Sequence, residues 1–472
     1  MAAETIRTEA LVIGAGPGGY VAGIRLGQLK KKAIVVEKDK PGGICLNVGC
    51  IPSKALINAS KYYDKIKNHG AEIGLYADNV RVDMAKMQSW KGDVVSKLTG
   101  GVKTLLKANG CDYRTGTAKL VSKNTVEVTD AAGVVTTIEA DNIIIATGSR
   151  PIEIPGFKFD GKRIVDSTGA LDFTAVPERF IVVGGGYIGI EIGTLYAKLG
   201  SKVTVVEALP TILAGNDPEI IQLVTRKLKK LGVEIMTGAK AKSWTEASGR
   251  AAVTLEVANS ERDVTLEADK VMVAVGRRPN SEGLGLEAVG VKIEKGFVPV
   301  DKQLRTNVPG IYAIGDVAGQ PMLAHKASKE AEVAAEVIAG HRAEMDVRCI
   351  PAVIFSDPEV ATAGISADEA EKRGRKVKVG KFPFAALGRA IANADTDGFV
   401  KVVIDAQTKE VLGIHVVGNG ASDVIAEAAL AIEMGALADD IALTIHAHPT
   451  LPEAIMEAAK ASLGEAIHIQ NR

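Results

Sequence analysis

The sequence predicts an α/β protein that ends in a separate α+β domain, and two observations carry this prediction. A pattern of strand, glycine-rich turn, helix and strand occurs twice, over residues 9–37 and 180–207. From about residue 349 the pattern changes to short alternating strands and apolar helices, which is typical of a separate α+β domain. The length of 472 residues also favours about three domains.

Each repeated unit contains the glycine motif of a Rossmann-like dinucleotide-binding domain. The first unit has residues 14–19 (GAGPGG) and closes on Glu37, and the second has residues 184–189 (GGGYIG) and closes on Glu207. The first glycine makes the turn, the second lets the backbone approach a pyrophosphate, and the third lets the helix pack on the strand. Two complete units predict two bound dinucleotides, and an α/β repeat without a ligand is the alternative interpretation.

Glu207 indicates which dinucleotide the second unit binds. A carboxylate at this position pairs with a free ribose 2′-hydroxyl and repels a 2′-phosphate. The following residues 208–212 (ALPTI) contain no arginine that would accommodate that phosphate. The sequence therefore favours NAD over NADP.

Cys45 and Cys50 lie in residues 43–54 (GICLNVGCIPSK), soon after the acidic end of the first unit. We expect no secretory segment, and a cytosolic disulfide is usually catalytic or transient, so the pair is interpreted as a redox disulfide. A buried pair of small hydrophobes or half a metal site are the alternatives. A metal site would want further Cys or His nearby, whereas Cys111 and Cys349 are isolated.

A helix is predicted to begin at Pro52, because the fixed φ of proline suits the first helical position. Cys50 would then lie at or just before the helix N-terminus, where the macrodipole and unpaired N–H groups stabilise a thiolate and lower the thiol pKa. Lys54, about one turn into the helix, could add a cation. A solvated lysine is the alternative.

Charge and hydropathy exclude several classes of protein. The 57 basic and 57 acidic side chains cancel, so no overall field indicates a nucleic acid or an anionic membrane as a partner. No apolar stretch reaches the roughly 18 residues that a membrane span needs. We expect a cytoplasmic protein, or one of the mitochondrial matrix if a transit peptide has been removed, with no bound metal.

Apolar strands that end in turns frame the domains. Residues 142–149 (NIIIATGS) close the first unit, and residues 271–279 (VMVAVGRRP) close the second in the same style. A later strand, residues 310–316 (GIYAIGD), is expected to return to the first unit. The predicted domains are residues 1–150 with 281–348, residues 151–280, and residues 349–472.

Five separated motifs occur in order, at residues 14–19, 45–54, 184–191, 315–316 with 322–327 (MLAHKA), and 448–453 (HPTLPE). In these motifs, and nearly end to end, the chain resembles the dihydrolipoamide dehydrogenases, the E3 components of 2-oxoacid dehydrogenase complexes, within the pyridine nucleotide-disulfide oxidoreductases. The resemblance implies FAD on the first unit and NAD on the second. It also implies oxidation of protein-bound dihydrolipoamide to lipoamide, with reduction of NAD+ to NADH, through a Cys45–Cys50 redox disulfide.

The resemblance also implies the site residues, position by position. FAD would be contacted by Gly14, Gly16, Gly19, Glu37, Lys54, Ala118, Thr147, Gly148, Asp316 and Ala324. The NAD site would be lined by Gly184, Gly186, Gly189, Glu191, Glu207, Gly276 and Arg277, with Glu191 also able to pair with Lys54. The catalytic residues would be Cys45, Cys50, His448 as the base and Glu453 as the group that orients it. On the residues alone, a histidine before proline is more typical of a turn.

The chain departs from the family pattern at two places. Ala118 stands where the family usually has a glycine whose backbone meets FAD, and a backbone contact tolerates alanine. Residues 328–331 (SKEA) interrupt the acidic, glycine-ended run that commonly follows His325, so this helix is left out of the predicted site.

In this family the base comes from the partner subunit, so we expect a homodimer whose interface is the C-terminal domain. The expected partners are lipoyl domains of 2-oxoacid dehydrogenase complexes or the H protein of glycine cleavage. Glutathione and trypanothione reductases usually have lysine in place of Ser53, mercuric reductases carry a C-terminal cysteine pair, and transhydrogenase relatives lack the full cysteine pair. A flavin- and NADH-binding sensor without turnover is the alternative from a different class.

Overall fold

The structure is a computed structural model that describes residues 5–257 and 263–471. The first stretch contains β1 (Thr5–Ile13), α1 (Pro17–Gln28), β2 (Ala33–Glu37), α2 (Gly43–Val48), α3 (Cys50–Asp64), α4 (Met84–Ala108), β3 (Asp112–Thr115), β4 (Thr117–Ser122), β5 (Thr125–Thr129) and β6 (Val135–Ile145). Residues 149–279 contain β7 (Ser149–Pro151), β8 (Ile164–Val165), α5 (Ser167–Leu171), β9 (Arg179–Val183), α6 (Tyr187–Leu199), β10 (Lys202–Glu207), α7 (Pro218–Lys230), β11 (Glu234–Thr237), β12 (Ala239–Ala247), β13 (Arg250–Val257), β14 (Val264–Ala268), β15 (Lys270–Val273) and β16 (Arg277–Pro279).

The remaining elements begin with β17 (Ile311–Ala313) and α8 (Ala324–Ile338). After them come β18 (Ala352–Ile354), β19 (Val360–Gly364), α9 (Ala367–Lys372), β20 (Val377–Pro383), α10 (Gly388–Ala392), β21 (Phe399–Asp405), β22 (Val411–Val417), α11 (Ala421–Met434), α12 (Ala438–Leu443) and α13 (Glu453–Leu463). Within the described ranges, no helix is long and apolar enough to cross a membrane.

The first sheet has the strand order β3-β2-β1-β6-β5-β4, with β17 also paired with β6. Strands β3, β2, β1, β6 and β17 run parallel, and the β4–β5 hairpin continues the sheet in antiparallel fashion. The pairing of β17 with β6 confirms the prediction that the chain returns to the first unit after completing the second.

The second unit has a parallel sheet in the order β11-β10-β9-β15-β8 and a separate antiparallel sheet of β12, β13 and β14. The C-terminal region is an antiparallel sheet, β18-β19-β22-β21-β20, against which α11 and α13 pack. The predicted fold class, two Rossmann-like units and a C-terminal α+β domain, is confirmed.

Alternation along β1 shows how the first sheet is buried. Ala10 and Val12 belong to one apolar core, and Leu11 and Ile13 belong to another on the opposite face. A parallel sheet covered on both faces reads as a continuous apolar run, which is why its strands were recognisable in the sequence. The carboxyl ends of such strands, where the glycine turns leave the sheet, are where ligands bind in open α/β folds.

The helix that carries Cys50 connects the two units. Helix α3 packs against α6, and Leu56 of α3 shares an apolar core with Ile192 and Tyr196 of α6. One expectation is corrected here: α3 begins at Cys50, so Pro52 occupies the third helical position and not the first. The cysteine therefore lies within the first turn, where backbone N–H groups have no intrahelical partner.

Candidate active site

The first and third glycines of each motif are required by the packing of the chain on itself. Gly14 has φ +104°, and a Cβ built on it would lie 2.3 Å from the carbonyl oxygen of Ala146. A Cβ on Gly19 would lie 1.8 Å from the carbonyl oxygen of Gly14. The second unit repeats both contacts, at 2.5 Å for Gly184 and 2.0 Å for Gly189. Any side chain at these positions would push the helix away from the strand.

The second glycines are different, because nothing in the chain itself requires them. Gly16 and Gly186 have ordinary φ values of −69° and −74°, and a built Cβ meets no atom within 4 Å. Both residues cap the N-terminus of a helix, α1 or α6, where unpaired N–H groups attract a phosphate. The open space is the cradle that a pyrophosphate needs, so both turns fit a dinucleotide.

The closing glutamates are fixed in the same way in both units. Glu37 accepts hydrogen bonds from the backbone N–H groups of Ala15, at 2.6 Å, and Asp39, at 3.0 Å. Glu207 makes the equivalent two bonds, to Gly185 at 2.6 Å and to the residue two positions beyond itself at 2.7 Å. Each carboxylate is therefore held beside its glycine turn, where a ribose would lie.

A cavity of about 1010 Å³ opens over the second glycine turn. Its lining includes five of the residues predicted for NAD, namely Gly184, Gly186, Glu207, Gly276 and Arg277. The other two predicted residues do not line this cavity: Gly189 packs on the glycine turn, and the carboxylate of Glu191 bonds to Lys54. Met322 and Leu323, just before Ala324 at the start of α8, close another side of the cavity.

Two of the residues predicted to contact FAD, Thr147 and Gly148, lie in a turn that is held by hydrogen bonds to Asn280. The sequence did not predict a role for Asn280. Thr147 donates from Oγ1 to the carbonyl oxygen of Asn280 at 2.6 Å, and Nδ2 of Asn280 donates to the carbonyl oxygen of Thr147 at 3.0 Å. Gly148, with φ +67°, accepts from the backbone N–H of Asn280 at 2.9 Å. Asn280 follows the closing strand of the second unit, so only the folded chain brings it here.

A second missed residue, Ser149, links a residue predicted to contact FAD with one predicted to line the NAD site. Its hydroxyl donates to Oδ2 of Asp316 at 2.5 Å and accepts from Nε of Arg277 at 2.8 Å. Ser149 is buried, whereas Arg277 reaches the wall of the NAD cavity. Ala118, also predicted for FAD, lies on β4 opposite Val128 with its side chain in the apolar core. Its side chain is therefore turned away from any ligand, so the predicted contact would have to come from its backbone.

The two cysteines are close together, on consecutive helices. Cys45 lies on α2 and is half-buried, Cys50 is the first residue of α3 and is exposed, and both carry free thiols. A hydrogen bond from the Cys45 thiol, assisted by the charge of Lys54, lowers the pKa of Cys50 to about 7. The same hydrogen bond, together with burial, raises the pKa of Cys45. Among residues 5–257 and 263–471, no group of three His, Cys, Asp or Glu side chains is arranged to hold a metal ion.

Lys54 and Glu191 form the ion pair that the sequence suggested. Nζ of Lys54 lies 2.7 Å from Oε2 of Glu191, and Oε1 of Glu191 accepts from the backbone N–H of Phe355 at 2.9 Å. Nζ also lies 4.5 Å from the centroid of the Phe355 ring. The contact joins α3, α6 and the C-terminal region beside the cysteine pair.

His448 and Glu453 are paired as predicted. Nδ1 of His448 lies 2.9 Å from Oε1 of Glu453, whose Oε2 accepts from the backbone N–H of Thr450 at 2.8 Å. Burial raises the pKa of Glu453, but these bonds outweigh it and hold that pKa below its usual value. The His448 side chain is 76% exposed, and in the part of the chain that the structure describes no hydrogen bond connects it to either cysteine.

Comparison with known proteins gives the family. Residues 8–331 match the model of the pyridine nucleotide-disulphide oxidoreductases, and residues 350–459 match the dimerisation domain of that family. The dihydrolipoyl dehydrogenases of Geobacillus stearothermophilus and Bacillus subtilis are 54% and 52% identical to the chain, over 98% of each sequence. The chain belongs to the pyridine nucleotide-disulphide oxidoreductase family, and membership implies that it binds FAD and NAD(H).

Solved structures agree with this assignment. LpdA from Mycobacterium tuberculosis superposes with a TM-score of 0.89 at 27% identity, covering 96% of this chain and 99% of that one. The HOCl-induced flavoprotein disulfide reductase RclA from Escherichia coli, solved as a Cu(II) complex, gives 0.86 at 26% identity, over 96% and 99% of the two chains.

The two kinds of glycine in the second motif give a matched pair of variants. Gly186→Ala should fold with an unchanged Tm but bind NADH at least about ten-fold more weakly, because its methyl group occupies the pyrophosphate cradle. Gly189→Ala should lose about 1–3 kcal/mol of stability, as overpacked positions do. Thermal unfolding and calorimetric NADH titration measure both effects. Normal NADH binding by Gly186→Ala would contradict the assignment of the cradle.

The lowered pKa of Cys50 predicts how the reduced protein reacts with iodoacetamide. Only the thiolate is alkylated, so modification of Cys50 should rise with pH about a midpoint near 7. Cys45→Ala removes the hydrogen bond and should move that midpoint upward, whereas Cys111→Ala, a change at a buried thiol that does not contribute to the lowered pKa of Cys50, should leave it in place. Peptide mapping by mass spectrometry identifies the modified residue. An unchanged midpoint in Cys45→Ala would rule out the thiol–thiol hydrogen bond as its cause.

Proposed function

We propose that the chain is a dihydrolipoyl dehydrogenase, which oxidises protein-bound dihydrolipoamide to lipoamide and reduces NAD+ to NADH. The observation that carries this proposal is the thiol pair, in which Cys50 has a lowered pKa and begins a helix that packs against α6, the helix of the second glycine turn. Relatives with 52–54% identity over nearly the whole chain carry the name of this enzyme. The supporting geometry is therefore that of a dithiol–disulfide oxidoreductase.

The asymmetry of the two thiols supports separate roles for them. When the pair is a disulfide, a substrate thiolate that attacks Cys45 forms a mixed disulfide and expels Cys50 as a thiolate. The second substrate thiolate then closes the lipoamide ring and releases Cys45. The sulfur with the lower pKa leaves faster, so attack at Cys45 is favoured although Cys50 is more exposed. Bound FAD would supply the acceptor for the electron pair and pass a hydride to NAD+.

A base must take the protons of the substrate dithiol, because only a thiolate attacks a disulfide. We propose His448 for this role, with the ionised Glu453 holding the ring and stabilising its charged form. Since no hydrogen bond among the described residues ties His448 to the cysteines of its own chain, the partner subunit's His448 is proposed to serve each cysteine pair.

The C-terminal region offers the surface that such a dimer needs. Residues 350–459 carry the dimerisation domain of the family. Large apolar side chains there point into solvent in the single chain, namely Leu430, Met434, Leu443, Ile445 and Ile467. Large exposed apolar patches mark protein interfaces, and these side chains would contribute to one. We propose a homodimer formed by residues 349–472, with residues 1–150 and 281–348 binding FAD and residues 151–280 binding NAD.

We further propose that the substrate is presented on a lipoyl arm, by the lipoyl domains of a 2-oxoacid dehydrogenase complex or by the H protein of glycine cleavage. A cytoplasmic setting stays a prediction from the sequence.

The proposed base can be tested apart from the rest of the enzyme. Loss of a positioned general base costs about 10² to 10⁴ in rate, so His448→Gln should reduce dihydrolipoamide oxidation by that factor. NADH-dependent reduction of an artificial dye does not need thiol exchange and should survive. Glu453→Gln should show a smaller loss, and His341→Gln, on an exposed histidine elsewhere, should show none. Equal loss of both activities in His448→Gln would assign His448 a structural role.

The proposed cofactor preference depends on Glu207. The carboxylate should make kcat/KM for dye reduction about 10²-fold lower with NADPH than with NADH, because the 2′-phosphate meets a negative charge and loses a ribose hydrogen bond. Glu207→Gln should bring the kcat/KM values for NADH and NADPH closer together. Glu256→Gln, the same change at an exposed position of β13, should not alter it. Equal efficiency of the parent enzyme with both nucleotides would refute the preference.

A further inference from the structure

An ion pair lies inside the first unit, on the helix that was left out of the predicted site. Lys326 and Glu330 are one turn apart on α8, each with a side chain only 6% exposed, and Nζ lies 2.8 Å from Oε1. Taking two charges out of water costs several kcal/mol per ion, and apolar residues of similar volume are often more stable. The buried pair therefore calls for a reason other than stability.

Helix stability does not supply that reason. Pairs at this spacing add only about 0.2–0.5 kcal/mol to a helix, and they do so best with the acid preceding the base. Here Lys326 precedes Glu330, which is the less favourable order. Burial also raises the pKa of Glu330, while the charge of Lys326 opposes that rise.

The remaining hydrogen bonds of the pair all reach one turn, residues 315–319. Nζ of Lys326 donates to the carbonyl oxygens of Gly315, at 3.3 Å, and Gly319, at 3.2 Å, as well as to Glu330, which accounts for its three protons. Oε2 of Glu330 accepts from the backbone N–H of Gly315 at 2.6 Å. The pair thus holds both the N–H and the carbonyl of the residue that precedes Asp316.

The turn has a backbone that needs external support. Gly315 and Gly319 have φ values of +74° and +157°, in the region that residues other than glycine rarely adopt. Asp316 projects from this turn, and its Oδ2 accepts the hydroxyl of Ser149 at 2.5 Å. The backbone of Asp316 is therefore fixed from α8, while its carboxylate is fixed from the strand that leads to the NAD cavity.

We propose that Lys326 and Glu330 are a positioning pair, which orients Asp316 for binding FAD. The inference rests on the proposed function and on the prediction from the sequence that Asp316 contacts FAD. The hydrogen bonds of the pair go to each other and to residues 315 and 319, so the pair acts through the turn that presents the Asp316 carboxylate. A residue that is useful only for folding would change stability without changing FAD affinity through Asp316, so the two roles can be separated.

A double-mutant cycle tests this coupling. The dissociation constant of FAD is measured by reconstituting the apoprotein of the full chain and following flavin fluorescence. Glu330→Gln and Asp316→Asn should each weaken FAD binding by about ten-fold, the size of losing one positioned hydrogen bond. The double variant should be no weaker than Asp316→Asn alone, because the pair acts through Asp316. Glu332→Gln, in an exposed ion pair of the same helix, is the matched control and should leave FAD binding unchanged.

A second variant separates positioning from folding. Lys326→Met with Glu330→Leu replaces the pair by apolar side chains of similar size, which removes the cost of burying two charges but leaves the polar groups of residues 315–319 without these partners. The apoprotein should remain folded, and its thermal unfolding measures the net change in stability. FAD binding should still be weaker by about ten-fold. Additive losses in the cycle, or normal FAD affinity in this apolar variant, would overturn the inference but leave the assignment of Asp316 in place. An Asp316→Asn protein that binds FAD as tightly as the parent would overturn it together with the assignment of Asp316.

Discussion

The arrangement of the site depends on the ion pair between Lys54 and Glu191, because it joins three parts of the chain next to the cysteines. Lys54 lies one turn beyond Cys50, Glu191 lies on the helix of the second glycine turn, and the second oxygen of Glu191 binds the backbone of Phe355. The pKa of Cys50 responds to this contact: after the hydrogen bond from Cys45, Lys54 lowers it further and Glu191 opposes the change. Loss of either charge would therefore alter both the geometry of the junction and the chemistry of the thiol.

Comparison of the two duplicated units shows why only the second has an acid that pairs with Lys54. A constant offset of 170 residues relates the two motifs, so that Gly14 corresponds to Gly184, Glu37 to Glu207 and Val21 to Glu191. Both units keep the glycine packing and the anchored glutamate, since those features serve the turn itself. Their helices face different neighbours, α8 for α1 and α3 for α6. An apolar residue suits the first environment, and an acid suits the second because a cation lies opposite.

Sequence patterns predicted the strands and helices that are determined by the residues within them. The strands Ala33–Glu37, Lys202–Glu207, Phe399–Asp405 and Val411–Val417 have the expected bounds, because each is a short run rich in β-branched residues that ends at a turn or a charge. The start of α3 was misplaced, because proline is tolerated anywhere in a first turn, where its missing N–H leaves no bond unmade. Ser149, Asn280, Phe355 and the Lys326–Glu330 pair were missed for another reason. Their importance comes from partners that folding brings together, mostly from distant segments, and no periodicity records such contacts.

Several buried or half-buried charges lie where separate segments meet. Besides Lys54 with Glu191, Lys401 of the C-terminal sheet binds Asp217 at the start of α7, with both side chains almost buried. Lys198 of α6 similarly lies 3.7 Å from Asp64 at the end of α3. Apolar contact is non-directional, and it holds two surfaces together without fixing their register. A charged hydrogen bond has a preferred distance and direction, and a partner left unpaired in the interior is costly. The apolar cores thus stabilise each unit, while the buried ion pairs fix the units relative to one another and to the thiols between them.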